Sequence, residues 1–398
     1  MSKPGNHNGK AVILHVIDSL DISGGAERQL VANLKSFDHG LLQHQVAIVK
    51  RTHTSREQEV GPFTPIHYLL DDEKATRPRI VSRLRRLVQE MSPSLIHASL
   101  PSSALAARII ARTEGVKAVE SLVNISHERI RTVDNPHVTM TKLRLHGAVD
   151  RVTMRYLTGF HAVSQAVADS WSNTVGLDPA KIRVMPRGVE VNPEGLTDSE
   201  RMHARKSVVD EFGLPESSLI ALSVGRVEPQ KGHRYLVEAV GTLTRVLPDL
   251  RVLIVGRAGH ASPAVERAIA AAGLTQIVRL TGPRRDLTRL MGAADIFVFP
   301  SLFEGNGGNA MIEAMVAGLP IVTTGAPPMT DLVPDDNVGL LVDRFDSTAL
   351  AAAIRRLSGD PALRKELGSA ARTRAMGFPS SRTIAAMHED WYRDLLTG

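Results

Sequence analysis

The chain has 398 residues, 43% of them hydrophobic and 23% charged, which is too much for one ordinary core and suits two domains of roughly 200 residues each. A formal net charge of +6 favours anionic ligands or surfaces, and the absence of cysteine excludes disulfides, thiolate nucleophiles and cysteine metal sites. With 4% aromatic residues and no recognisable binding motif, nucleic acid is set aside as a partner.

The polar start MSKPGNHNGK runs into the apolar stretch Ala11 to Ile17, too short for a signal core or a membrane span. The expected location is cytoplasmic, with peripheral contact at the inner face of an anionic membrane as a further option. AVILHVI predicts a strand and Ala26 to Phe37 the helix after it. QVAIV and SLIHA continue the strands, followed by a helix over Ser102 to Arg112, then KAVES, GFHAV and a helix over Gln165 to Asn173. Basic stretches at 77–86 and 142–155 have helical spacing, with Ile80, Leu84 and Leu87 on one side of the first. Such a stretch reads either as a solvated face over core leucines or as an amphipathic helix lying on anionic lipid.

Between 187 and 215 the sequence scatters Pro, Gly and charge, with little apolar periodicity before Val208. Strands then resume as LIALSVG, RVLIVG, IVRLTG, ADIFVFP, PIVTT and GLLVD, with helical stretches such as Gly232 to Leu247 and Asn309 to Ala317. After Ser347 the pattern is helical to the end, and no internal repeat or low-complexity tract interrupts it. The alternation is that of βαβ units. It predicts two doubly wound, Rossmann-like α/β domains over 1–190 and 191–380, with a helix over 381–398 crossing back to the first.

Two segments carry chemistry. In the first, SVGRVEPQKG, a strand ends in glycine and is followed by Arg226, Lys231 and a helix start. At the carboxyl end of a strand, where open α/β sheets bind ligands, a guanidinium fork and an ammonium point charge suit a diphosphate. In the second, ADIFVFPSLFEGNGGNAMIEAM, a strand, a glycine-rich turn and a helix follow one another. Gly305, Gly307 and Gly308 leave backbone amides open, Asn306 completes the turn, and the helix from Asn309 offers free N–H groups to phosphate. Glu304 and Glu313 flank this cradle, and carboxylates there suit hydroxyl groups of a sugar. Gly24 and Gly25 form a weaker backbone-exposing turn after the first strand.

These motifs resemble the retaining glycosyltransferases of family 4, which share the GT-B fold, strongly over Ser223 to Val342 and more loosely over the first half. The resemblance implies two Rossmann-like domains facing each other across a cleft, a nucleotide-diphosphate sugar donor with UDP ahead of GDP, and no cofactor or essential metal. It implies that Arg226 and Lys231 bind the diphosphate, that Glu304 faces the transferred sugar and that Glu313 holds the ribose hydroxyls. Gly24, Gly25 and the turn from Gly305 to Asn309 would face the donor phosphates. One departure stands out: eight residues lie between Glu304 and Glu313, one more than the family's usual seven. The register of NAMIEAM places the extra residue at 306–308.

His97, at the end of SLIHA, and His127, in the loop beyond KAVES, are further candidates for sugar or acceptor contact; for both, a satisfied structural role stands equally open. His161 reads as structural, with Ser164 as a helix N-cap. The dehydrogenase fingerprint G-x-G-x-x-G and the P-loop are both missing after the strands that would carry them. Within the GT-B fold, a sugar-nucleotide epimerase, a phosphorylase and a non-catalytic nucleotide-sugar-binding subunit remain as alternatives. The acceptor is left open among polysaccharide, glycolipid and small natural products.

Overall fold

A computed structural model describes residues 10–21, 24–62, 64–70, 76–189, 195–305 and 307–398. The chain forms two α/β units. The first comprises Met1–Glu128, Thr139–Gly188 and Pro379–Gly398, and the second Arg129–Val138 and Val189–Phe378. Residues 129–138 thus leave the span 1–190 expected for the first domain. Asp134 explains the difference, because it accepts hydrogen bonds from Arg234 and from the Tyr235 hydroxyl at 3.0 and 2.8 Å.

The first unit is built on a seven-stranded sheet of β1 (Val12–Ile17), β2 (Gln43–Lys50), β3 (Ile66–Leu70), β4 (Leu95–Ser99), β5 (Ala118–Leu122), β6 (Gly159–Ala162) and β7 (Ile182–Val184), in the order β3-β2-β1-β4-β5-β6-β7. Every pairing is parallel. All six residues of β1 are buried, as expected of a strand covered by helices on both faces. The terminal helix Ser381–Thr397 belongs to this unit, where Ala385, Trp391 and Tyr392 share a core with Leu34 and Phe37.

The second unit holds β8 (Leu219–Val224), β9 (Leu250–Val255), β10 (Val278–Gly282), β11 (Ile296–Phe299), β12 (Ile321–Thr324) and β13 (Leu340–Val342), in the order β10-β9-β8-β11-β12-β13 and again all parallel. Alternate residues enter opposite cores: Ile220, Leu222, Phe297 and Phe299 go to one cluster, and Ala221, Val252, Ile296 and Val298 to the other. That is the period-two rule of a strand buried on both faces. In each sheet the strand order reverses once, between β1 and β4 and between β8 and β11. The carboxyl ends there are the topological switch points that bind ligands in such sheets.

The stretch between the domains is not wholly linker. Asp198–Phe212 is a helix, started by a reciprocal capping box between Thr197 and Glu200 and anchored by Ala204, Val208, Val209 and Phe212. Its apolar anchors crowd its second half, so periodicity alone conceals its start. The basic stretch at 77–86 lies in helix Arg77–Met91, which buries Ile80, Leu84 and Val88 and exposes Arg79 and Arg83, a solvated face over the core. Helix Met140–Thr153 exposes Leu145, Val149 and Val152. No helix among the described residues is long and apolar enough to cross a membrane.

A buried ion pair ties helix Pro101–Glu114 to the first sheet. Arg108 donates to both carboxylate oxygens of Glu120 on β5 at 2.7 Å, to the Thr153 hydroxyl at 3.0 Å, and to Asp150. Arg108 and Glu120 are only 4% and 5% exposed, so removing one partner strands the other's charge out of water. Arg108→Ala is expected to destabilise the first unit by about 3–5 kcal/mol in denaturant unfolding, and Arg108→Met with Glu120→Leu to recover most of that loss.

Candidate functional site

In the second unit, the loops leaving β8 and β11 meet because the two strands are neighbours, with Leu222 opposite Phe297. After β8 the chain makes a short turn at Pro229–Lys231 and enters helix His233–Leu243 through Gly232, whose φ is +65°. A Cβ at Gly232 would lie 2.0 Å from the Pro300 carbonyl oxygen, so only glycine lets this turn rest against the end of β11. The two loops are joined by backbone as well: Leu302 N–H donates to Gln230 O at 2.8 Å, and the Gln230 amide donates to Phe303 O at 2.9 Å.

This apposition brings Lys231 to Glu304. The ammonium donates to Glu304 Oε1, which also accepts from Ser301 Oγ at 2.6 Å. Ser301 is fully buried and Glu304 is 6% exposed. Ser301 is itself held by Thr324 at the end of β12, whose hydroxyl donates to the Ser301 carbonyl. The Lys231 stem lies against Gly225, where a Cβ would come within 3.2 Å of it, and its ammonium is 5.1 Å from the centre of the Phe299 ring. The opposite demand falls on Gly308, where a Cβ would stand 2.3 Å from Phe299 Cζ. The Phe299 ring therefore spaces Lys231 and the glycine turn.

Arg226, next to Gly225, has a half-exposed side chain whose nearest carboxylate is Glu228, at 3.8 Å. Gly307 and Gly308 take φ of +78° and +86°, and the helix Asn309–Val316 starts directly after them. Glu313 sits half-buried one turn into that helix. Asn306 lies outside the described residues. Arg226, Lys231, Glu304, Gly305, Gly307, Gly308 and Asn309 thus occupy two adjoining loops at the switch point, with the positive end of a helix dipole beside them. Sequence reading did not foresee the supports: Ser301, Gln230 and Thr324 carry no motif, and only the pairing of β8, β11 and β12 reveals them.

His233, at the start of the helix after Lys231, is buried and its imidazole is pushed down to about 3 by burial and by the Lys231 charge. A neutral ring here adds no charge beside Lys231.

In the first unit, Gly24 and Gly25 lie at the carboxyl end of β1, Gly24 as N-cap of helix Gly25–Ser36. A Cβ at Gly24 would fall 1.9 Å from the Glu27 carboxylate, and one at Gly25 2.6 Å from the Arg187 guanidinium. The turn is therefore closely covered by side chains from its own helix and from the segment after β7. Burial, with Asp21 and Asp18 nearby, holds the Glu27 carboxyl above its ordinary range, although Arg187 opposes the shift.

His97 is buried rather than presented at the end of β4, and it belongs to a chain of hydrogen bonds whose direction can be worked out. His161 Nε2 lies 2.9 Å from the Met185 carbonyl, which can only accept, so His161 carries its proton on Nε2. With that ring neutral, its Nδ1 accepts from Ser121 Oγ at 2.9 Å. Ser121 in turn accepts from His97 Nε2 at 2.8 Å, and His97 Nδ1 accepts from the Tyr392 hydroxyl at 2.6 Å. Tyr392 comes from the terminal helix, so the network joins that helix to β4 through His97 and continues across β5 and β6. Sequence reading identified Ser164 as a cap, and its hydroxyl does accept from Val167 N–H at 3.2 Å. His127 is held elsewhere, its Nε2 2.8 Å from Asp150 and its ring edge-on to Trp171.

Burial is the main reason that these imidazoles resist protonation. His15, His97 and His388 are held well below the ordinary imidazole range, His44 is pushed down to about 3 and His161 to about 4. In the unfolded chain each binds a proton below about pH 6.5, so the stability they contribute is intact above that pH and is lost as pH falls toward 4. Denaturant unfolding of the first unit should therefore take up several protons near pH 5. A midpoint that hardly moves between about pH 6.5 and 4.5 would contradict this linkage.

Comparison with known proteins supplies the family. Residues 23–192 match the family model described as Glycosyltransferase Family 4, and residues 205–374 match that of glycosyl transferases group 1. A D-inositol 3-phosphate glycosyltransferase of Acidothermus cellulolyticus is 30% identical over 76% of this chain and 67% of its own length. A 2-deoxystreptamine glucosyltransferase of Streptomyces kanamyceticus is 31% identical over 65% of both chains. The chain spans about half the length of several other relatives called D-inositol 3-phosphate glycosyltransferase. Among solved structures, HepE of Anabaena in complex with UDP superposes with a TM-score of 0.76 at 21% identity, covering 96% of this chain and 99% of that one. Sucrose-phosphate synthase of Thermosynechococcus elongatus gives 0.80 at 20% identity, covering 97% and 99%. Two parallel-sheet units, two family models in tandem and a relative matched across two thirds of its length agree: the chain belongs to glycosyltransferase family 4, with the GT-B fold.

Proposed function

We propose that the chain is a retaining glycosyltransferase that moves a sugar from a nucleoside diphosphate donor, UDP ahead of GDP, to a hydroxyl acceptor without an essential metal. The observation that carries this reading is the Lys231–Glu304 pair, set on Ser301 beside Arg226 and the Gly307–Gly308 turn. Two cations and a helix N-terminus suit a diphosphate, and a carboxylate in contact with one of those cations suits the hydroxyls of the sugar attached to it.

In the reaction, negative charge grows on the diphosphate as the glycosidic bond breaks, and Arg226, Lys231 and the amides of the turn meet it with preset positive potential. Lys231 can pass from Glu304 to a phosphate oxygen, and Glu304, kept in place by Ser301, is then free to accept from a sugar hydroxyl. Glu313 takes the ribose hydroxyls. The departing phosphate oxygen receives the acceptor proton, so no side-chain base is required. UDP and UDP-glucose complexes of the HepE structures support a uridine donor. The names of two relatives, acting on 2-deoxystreptamine and D-inositol 3-phosphate, favour a polyhydroxylated ring as acceptor.

Calorimetry in the presence of EDTA should show UDP binding. Arg226→Ala and Lys231→Ala should each weaken it by about 1.5–3 kcal/mol, roughly tenfold to a hundredfold, and the double variant should lose transfer. Full transfer by the double variant overturns the assignment of these residues. UDP binding without hydrolysis or transfer of any sugar nucleotide would instead identify a non-catalytic binding subunit.

A further inference from the structure

The loops leaving β8 and β9 are laced together beside Arg226. Val227 N–H donates to Arg257 O at 3.0 Å, and Ala261 N–H donates to Val227 O at 3.1 Å. Two glycines permit the approach: a Cβ at Gly256 would lie 2.0 Å from the Gly225 carbonyl oxygen, and one at Gly259 2.6 Å from both the Val227 carbonyl oxygen and Glu228 Oε1. Glu228 is thereby held from the side. Its Oε2 accepts from His260 N–H at 3.3 Å and lies 2.9 Å from His260 Nδ1, which carries a proton because a carboxylate only accepts. Its other oxygen, Oε1, stands 3.8 Å from the Arg226 guanidinium.

Glu228 thus divides its oxygens between an anchor and a cation. The second contact is too long for a hydrogen bond and the Arg226 side chain is 52% exposed, so the guanidinium leaves this carboxylate at little cost. Lys231 rests against Glu304 in the same cradle. Each cation has its own carboxylate, and a diphosphate that binds there displaces both. When the diphosphate leaves, both carboxylates recover their cations.

We propose that Glu228 is the counter-ion of Arg226, a positioning residue that His260 anchors short of a full ion pair and that speeds release of UDP by reclaiming the guanidinium. The role rests on the donor reading given above, while the geometry belongs to the two loops themselves. Its effect has the opposite sign from that of a structural role. Loss of a residue that only shaped the loop would weaken UDP binding, whereas loss of a competitor for Arg226 strengthens it.

Calorimetry on the full chain with UDP, and with uridine as the comparison that lacks a diphosphate, tests the counter-ion. Glu228→Gln keeps the size of the side chain and an oxygen for His260, and should lower the Kd for UDP about threefold to fivefold, the scale of a half-exposed ion pair. Its Kd for uridine should not change. In an Arg226→Ala background the same substitution should have no effect on UDP, since Glu228 acts through that guanidinium. His260→Ala, at an exposed position, releases the carboxylate to pair fully with Arg226 and should raise the Kd for UDP, but not in the Glu228→Gln background. Stopped-flow dissociation of UDP from Glu228→Gln should slow by the factor that its Kd falls. An unchanged or higher Kd in Glu228→Gln, an equal gain for uridine, or an equal gain without Arg226 overturns the counter-ion and leaves the donor site standing. Failure of the unaltered chain to bind UDP sinks the donor reading, and the counter-ion with it.

Discussion

The second unit depends on one close approach, the backbone of Gly232 against the carbonyl of Pro300. No side chain could stand there, and the positive φ of Gly232 would strain any other residue. Because the two loops touch at that point, Lys231 reaches Glu304, and Ser301, held by Thr324, keeps the carboxylate in place. An ion pair whose lysine is only partly buried gains little net stability. Its value lies in exchange: a phosphate that replaces Glu304 as the partner of Lys231 meets a cation already held in place.

Much of this was legible in the sequence because glycine and strand-end residues announce themselves. Arg226, Lys231, Glu304 and the turn from Gly305 to Asn309 follow apolar strands directly, and the folded chain brings those strand ends together. The residues that escaped notice are ordinary ones made important by distant partners. Ser301 matters through Thr324, and Gln230 through Phe303. Helix Asp198–Phe212 was hidden for a different reason: its start is set by the polar capping box of Thr197 and Glu200. The histidines were hardest to read. His97 occupies a strand end like a ligand-facing residue, yet it is turned inward by Tyr392, which lies 295 positions away in the chain.

The first unit uses its polar core in a contrasting way. Its imidazoles are kept neutral by burial, and the hydrogen-bond chain from Tyr392 through His97, Ser121 and His161 ends on the Met185 carbonyl. A chain of this kind polarises in one direction, and each member fixes the tautomer of the next. Apolar packing of Ala385, Trp391 and Tyr392 could hold the terminal helix in place. The polar chain adds registry, since a slip of one residue along the helix would break the Tyr392–His97 bond that starts it.

The same helix has a consequence for the order in which the protein forms. Apart from residues 129–138, the second unit is one continuous stretch, Val189–Phe378, whereas the first is completed only by Pro379–Gly398. During synthesis the strands of the first sheet emerge first, but the partner for His97 and the aromatic cover from Trp391 arrive after the whole second unit has left the ribosome. The amino-terminal half is made earliest and finished last, so a nascent chain must shelter an incomplete core while its neighbour folds.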